Sequence, residues 1–202
     1  MIKRFFVFLL LVCITCTLDA QKRNFNEGYI IEKSGDTIYG LLKDRSPEPF
    51  VSLYDKVRFK SEGKSRTKRY GPNDILGYGY EGRNYEAVPF REESDFLKFR
   101  YYTDNDSPRA FLRLIAHSEN LMYYEQEFVH DDNSYVESVP FFYRPGSREM
   151  LRVTQGLFGF KKKKLRAYFF DCPELQLELQ KKNTQLKTVW DLYEFCETQC
   201  FE

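Results

Sequence analysis

One pattern recurs along most of this chain: a short stretch of alternating apolar and polar side chains, followed by a cluster of turn-forming residues. Leu97, Phe99 and Tyr101, for example, alternate with two cations, and an Asp-Asn-Asp-Ser-Pro turn follows. Alternation with a period of two is typical of a β-strand that buries one face. We therefore predict strands at residues 29–32, 37–43, 56–60, 66–70, 78–80, 85–88, 97–101, 110–117, 121–129 and 135–143.

The connections between these predicted strands favour antiparallel pairing. No helical segment separates the strands, so a meander of hairpins fits better than parallel βαβ units. The first two strands flank Ser34-Gly35-Asp36, a hairpin turn in which Gly35 can adopt positive φ. The chain also has 19 Phe and 15 Tyr, residue types that suit a pleated and half-buried surface.

The period changes after Val153. Helical spacing relates Phe158, Lys162, Leu165 and Phe169, and it relates Leu186, Val189, Trp190, Tyr193 and Cys196. Asp171 has the position of an N-cap for a helix that has Pro173 in its first turn and Glu174 at its third position. The sequence therefore predicts an α+β fold in one domain, with a β-rich body at residues 21–155 and C-terminal helices at 156–202.

The first twenty residues predict export. Lys3 and Arg4 precede an apolar run at residues 5–16, and Ala20 is a small residue ahead of Gln21. This order is typical of a cleaved secretory signal peptide, and the apolar run is short for a membrane span. An uncleaved anchor or a lipoprotein signal are the alternatives. We expect a mature protein that does not span the membrane and is periplasmic, associated with the outer envelope, or secreted.

The charge of the mature chain argues against nucleic acid as a partner. Loss of Lys3, Arg4 and Asp19 with the signal brings the formal charge from +1 to zero. Nucleic-acid-binding proteins normally carry a basic excess over a whole face. The expected partner is therefore another envelope component, a protein or a glycan.

Three segments resemble a group of uncharacterised exported proteins from Bacteroidetes-type bacteria. Residues 28–40 (GYIIEKSGDTIYG) are similar to that group's opening hairpin, and residues 111–124 to its unit of an apolar strand, a turn and Leu-x-Tyr. Residues 168–175 (YFFDCPEL) and 193–196 (YEFC) are similar to its Asp-Cys-Pro helix start and its later Tyr-x-x-Cys. The resemblance implies export and a disulfide between Cys172 and Cys196, and it implies no activity.

Cys172, Cys196 and Cys200 remain after removal of the signal, so a disulfide is expected to leave one thiol over. An antiparallel hairpin of helices that turns at residues 182–186 would agree with the pairing that the resemblance implies. Cys172 would then be level with Cys196, and Cys200 would lie about 6 Å further along the helix. On this register we predict that Cys200 is free.

No catalytic or cofactor motif is present, and the sequence predicts no metal site and no cofactor. The two histidines, His117 and His130, lack a Gly-x-Ser-x-Gly turn or a His-Glu-x-x-His helix around them. Glu92, Glu93 and Asp95 offer carboxylates, but neighbours in sequence do not face each other across a cleft. These groups support only a secondary hypothesis, an envelope hydrolase with a dispersed carboxylate or histidine site.

Two basic clusters are the candidates for binding. The first, here called the basic hairpin patch, comprises Lys60, Lys64, Arg66, Lys68 and Arg69. The second comprises residues 161–164, all lysine, with Arg166. Either could attract an anionic surface, and either could be simply solvated. The leading hypothesis from sequence is an exported, non-catalytic binding or interaction protein of the cell envelope, of unspecified ligand and oligomeric state; a structural or assembly role is a third hypothesis.

Overall fold

The computed structural model describes residues 25–45, 56–95, 98–129, 136–155 and 159–201. These residues form mostly antiparallel β-sheet, with short helices near the C-terminus. The strands are β1 Asn26–Glu32, β2 Thr37–Lys43, β3 Val57–Ser61, β4 Lys68–Tyr70, β5 Ile75–Tyr80, β6 Arg83–Pro89, β7 Arg91–Asp95, β8 Lys98–Tyr102, β9 Arg109–His117, β10 Met122–Val129, β11 Val136–Tyr143 and β12 Glu149–Arg152.

The strands form one sheet in the order β4-β3-β2-β1-β5-β6-β9-β10-β11-β12-β8-β7. Every pairing between these strands is antiparallel, which confirms the predicted type of pairing. The order departs from a simple meander where β1 pairs with β5 and where the β7–β8 hairpin pairs with β12. Strands β7 and β12 were not predicted; the exposed polar residues of β7 show no alternation, and β12 has only four residues.

The β5–β6 hairpin shows how local sequence determines a turn. Tyr80 pairs with Arg83, so only Glu81 and Gly82 form the loop. Both have positive φ, 49° and 74°, as a two-residue hairpin loop of type I′ requires. Glycine at the second position accommodates this backbone without strain.

The sheet buries side chains on both faces of its central strands. Adjacent residues such as Phe111 and Leu112 lie in different apolar clusters, because successive side chains of a strand point to opposite faces. One cluster, here called the β1–β6 core, contains Ile30, Leu42, Val57, Phe59, Tyr78, Tyr85 and Phe111. A second contains Phe90, Tyr101, Leu112, Tyr124, Phe141 and Met150.

The helices cover a third cluster. They are α1 Lys162–Tyr168, α2 Pro173–Glu178 and α3 Val189–Gln199. Leu165, Phe169, Leu175 and Leu192 from this segment pack with Leu121, Tyr123 and Phe142 of the sheet. Burial of these side chains fixes the helical segment against one face of β10 and β11. No helix in the described part of the chain is long and apolar enough to cross a membrane.

The predicted helix starts are partly wrong. Asp171 is not the N-cap of α2; Cys172 holds that position and makes no side-chain capping bond. Asp171 instead forms a two-pronged ion pair with Arg144 at 2.8 and 2.9 Å, which ties this turn to the end of β11. The capping box lies at α3, where Thr188 accepts a hydrogen bond from the N–H of Asp191 and the Asp191 carboxylate accepts one from the N–H of Thr188.

The predicted Cys172–Cys196 disulfide is also wrong. Cys172 is joined to Cys200, with 5.0 Å between their Cα atoms, and Cys196 is a buried free thiol. The prediction assumed a symmetric hairpin of two long helices. Helix α2 ends after six residues, and non-helical chain leads from Glu178 to α3. Counting residues from the turn therefore misplaces the two ends, and Cys196 points into the apolar cluster under the helices.

Candidate functional site

A line of cations crosses three adjacent strands at one end of the sheet. Lys43 of β2 lies directly opposite Arg58 of β3, and Arg58 lies directly opposite Arg69 of β4. Val57 and Phe59 point into the β1–β6 core, so Arg58 between them points to the other face. Like charges directly opposite each other destabilise a strand pair. This set, here called the basic row, is therefore held together against its own repulsion.

The basic hairpin patch is only partly brought together by the fold. Lys60 shares the face of the basic row, and Lys64 lies in the β3–β4 turn next to it. Lys68 pairs with Phe59 and belongs to the opposite face, so it is separated from Arg69. Arg66 is exposed ahead of β4.

Lys43 and Arg58 were not predicted as members of a binding patch. The alternation in residues 56–60 could have identified Arg58, whereas the placement of Lys43 requires the register of β2 against β3.

Within the described residues, no ion pair joins the basic row or Lys60 to a carboxylate. Other surface cations do have such partners, as in the pair between Arg144 and Asp171. Within the described chain these cations therefore have no direct carboxylate partner, and they are available to an anionic ligand.

A groove of about 850 Å³ adjoins the basic row on the same face. The residues that give it chemical character are Glu27, Tyr29, Tyr39, Leu41, Lys60 and Lys64. The rings of Tyr29 and Tyr39 are 6.1 Å apart, and Tyr39 is 66% exposed. The Tyr29 hydroxyl donates a hydrogen bond to Asn84 Oδ1 at 2.7 Å, which fixes its ring in the wall of the groove.

Gly79 is what allows the Tyr29 ring to lie flat across the sheet. The two residues pair directly between β1 and β5. A Cβ atom at Gly79 would be 2.5 Å from the ring and hydroxyl of Tyr29, closer than real Cβ contacts. Any larger residue at position 79 would displace the ring and change the shape of the groove.

The groove suits a ligand with both rings and negative charge. Comparisons with protein-family models, with curated proteins and with solved structures found no match for this chain. Tyrosine offers an apolar ring face together with a hydroxyl, and cations attract carboxylate or sulfate. Glu27, Glu62 and Glu81 also line the groove and can accept hydrogen bonds from hydroxyl groups.

A buried polar network behind the groove holds the end of β2 in place. Arg45 is 9% exposed; its Nη1 donates to the carbonyl oxygen of Phe111 at 3.0 Å, and its Nη2 lies 3.5 Å from Glu127 Oε2. Its guanidinium lies 5.0 Å from the centre of the Tyr85 ring. The Tyr85 hydroxyl in turn donates to Glu127 Oε2 at 2.9 Å. A buried charge requires such partners, and the network supplies them.

Tyr80 connects this network to the groove. It lines the groove, and its hydroxyl donates to Asp44 Oδ2 at 2.7 Å, while Tyr78 donates to Asp44 Oδ1 at 2.6 Å. Burial, and then the charge of Asp44, raises the pKa of Tyr80 to about 12. Burial also raises the pKa of Tyr78 well above its usual value, so both tyrosines remain neutral donors and Asp44 is an acceptor that positions them. We interpret this network as support for the groove.

The other candidates from sequence do not converge. His117 is the exposed last residue of β9, and His130 lies outside the described residues. Glu92, Glu93 and Asp95 are exposed on the edge strand β7. Among the residues that the structure describes, no group of three or more His, Cys, Asp or Glu side chains is placed to hold a metal ion.

Proposed function

We propose that this protein is exported to the cell envelope and acts there without catalysis, by binding an acidic glycan. The basic row carries the proposal, because three cations lie in line on neighbouring strands and none has a carboxylate partner in the described chain. A negatively charged ligand would relieve their mutual repulsion. Export rests on the order of charged, apolar and small residues in the first twenty positions.

The groove favours a glycan over a lipid or a second protein surface. Its volume of about 850 Å³ is within the range of small-molecule sites, about 300–1,000 Å³. Tyr29 and Tyr39 can stack on the apolar face of a sugar ring, and Glu27 and Glu62 can accept its hydroxyl groups. Carboxylates in the lining would repel a uniformly anionic membrane surface, whereas a sugar polymer has hydroxyls for them and acidic groups for the basic row.

Binding of alginate by the mature protein, residues 21–202, tests the proposal. Dextran serves as the neutral glycan, and the salt concentration is varied. The double variant R58Q/R69Q should weaken alginate binding about tenfold at low salt, since each exposed ion pair is worth about 0.2–1 kcal/mol. The matched control R148Q/K182Q removes two exposed cations elsewhere and should leave affinity unchanged.

The contribution of the groove is tested separately with Tyr39→Ala. The exposure of Tyr39 keeps the cost to folding small, and Phe170→Ala at a 78% exposed position is the matched control. Tyr39→Ala should weaken alginate binding and leave the salt dependence of that binding unaltered, because the change removes ring stacking and no charge. Equal affinity for dextran and alginate, or equal losses in the control variants, would contradict the proposal.

The same incubation addresses the hydrolase hypothesis, which the carboxylates in the groove keep open. Release of new reducing ends from alginate, abolished by Glu27→Gln, would replace a binding function by hydrolysis. Intact polymer after prolonged incubation supports binding alone. Tight binding of duplex DNA to the same residues would instead show that the basic row binds a phosphate backbone, and this would refute the glycan proposal.

A further inference from the structure

A second cavity, of about 510 Å³, lies near the other end of the sheet from the groove. It is formed where β8 and β12 meet the start of α1. Its cations are Lys98, Arg152, Lys161, Lys162, Lys163 and Lys164, and Phe99 and Gln155 complete the lining. No acidic residue lines it among those the structure describes. The run of four lysines seen in the sequence is thus concentrated around one concavity, together with Arg152 from the preceding strand and Lys98 from the distant strand β8.

Arg152 is the residue whose bonding is incomplete. Its Nε atom is buried and has no hydrogen-bond partner in the described part of the chain. Its Nη1 lies 3.5 Å from the Tyr101 hydroxyl, at the limit of a hydrogen bond. A guanidinium has five N–H donors and no acceptor, so donors of Arg152 remain available. Buried donors without acceptors are uncommon in folded proteins, and such a group needs an explanation.

Lys161 and Lys164 are held near this arginine by the fold. The Lys164 ammonium donates to the carbonyl oxygen of Phe99 at 2.8 Å, which ties α1 to β8. The pKa of Lys161 is lowered to about 8 by its partial burial, and further by the charges of Arg152 and Lys164. Lys161 therefore lies close enough to both cations to feel their repulsion. Repulsion between these cations destabilises the folded protein unless an anion binds among them.

We propose that this cavity binds a phosphoryl group between Arg152, Lys161 and Lys164. A phosphomonoester carries close to two negative charges at neutral pH, inorganic pyrophosphate carries more, and both have several acceptor oxygens, so either can satisfy a guanidinium and two ammonium groups at once. A single carboxylate has one charge and two oxygens and would leave part of the cluster unpaired. The proposal does not depend on the acidic glycan, because the two sites share no residue.

Calorimetric titration of the mature protein with pyrophosphate tests this proposal, with succinate as a dicarboxylate comparison. We expect saturable binding with one pyrophosphate per chain and binding of succinate at least tenfold weaker. The variant K161Q/K164Q should weaken pyrophosphate binding at least tenfold. The control K182Q/K187Q makes the same change in charge on the same C-terminal segment and should bind like the wild type.

Vesicles distinguish a lipid phosphate from a soluble one. Cosedimentation with vesicles of phosphatidic acid, but not of phosphatidylglycerol with its phosphodiester, would identify a lipid phosphomonoester as the source. Pyrophosphate binding without vesicle binding would identify a soluble ligand.

If K161Q/K164Q fails to fold, Lys98→Gln on the exposed part of the rim serves as the second variant, with an expected loss of pyrophosphate affinity of about threefold. The proposal would be overturned if neither pyrophosphate nor phosphatidic acid vesicles bound saturably. It would also be overturned if K182Q/K187Q lost as much pyrophosphate affinity as K161Q/K164Q, or if succinate bound as tightly as pyrophosphate.

Discussion

Removal of the Cys172–Cys200 disulfide should be the most destabilising cysteine change in this protein. The bridge closes a loop with a sequence separation of 28 residues. In the chain-entropy model, a loop of this length lowers the entropy of the unfolded chain by about 12 cal/mol/K, which is about 3.6 kcal/mol at 25 °C. A change of 1 kcal/mol shifts the melting temperature of a domain of this size by about 2–4 °C. The variant C172A/C200A should therefore melt about 7–14 °C lower.

Cys196→Ala is the control that separates the two pairings. Cys196 is buried among the apolar residues under the helices and has no bridge to lose. Burial raises the pKa of its thiol to about 12, so it remains protonated and unreactive. Its replacement removes about one methylene-sized group from the core, with a cost of about 1 kcal/mol.

Urea unfolding of the oxidised variants, without reductant, measures both free energies, and non-reducing peptide mapping identifies the bridge directly. The double variant is preferred to Cys200→Ala alone, because the single change would leave Cys172 as an additional unpaired thiol. If Cys196→Ala costs several kcal/mol and C172A/C200A costs less than 1, the pairing described here is wrong. A peptide that links Cys172 to Cys196 would lead to the same conclusion.

Three further predictions concern the buried network, the acid stability and export. Arg45→Met should destabilise the protein by about 3 kcal/mol in urea unfolding, because it removes the nearer of the two cations beside Glu127, whose side chain is 7% exposed, and leaves only Arg113 at 3.9 Å; a loss below 1 kcal/mol would refute this role. Lys181, the N–H of Gln185 and Thr184 lower the pKa of Glu178 to about 2. Its stabilising contribution is therefore complete above about pH 4.3, its unfolded value, and is lost as the pH falls towards 2, so Glu178→Gln should flatten the unfolding free energy over that range. N-terminal sequencing of the exported protein should begin at Gln21, and retention of residues 1–20 would contradict the signal peptide.

Much of the strand content can be predicted from the sequence, because strand-forming segments and the turns between them are local patterns. Strands β1, β2, β9 and β11 lie close to their predicted positions, since each is a stretch rich in apolar residues between clear turns. The helical segment was harder to predict. Its helices are short and stop where tertiary packing requires, so capping residues and residue counts placed the segment in the right part of the chain but gave the wrong disulfide partner.

The candidate site lies beyond local patterns for a physical reason. Alternation assigns Tyr29 and Tyr39 to one face of their own strands, but the wall of the groove depends on which strand lies next to β1. Pairing with β5, across about forty intervening residues, places Gly79 under the Tyr29 ring. The link from Arg45 to Glu127 spans 82 residues. Register between distant strands is a property of the whole sheet, so in a fold of this kind the binding surface emerges only once the order of the strands is known.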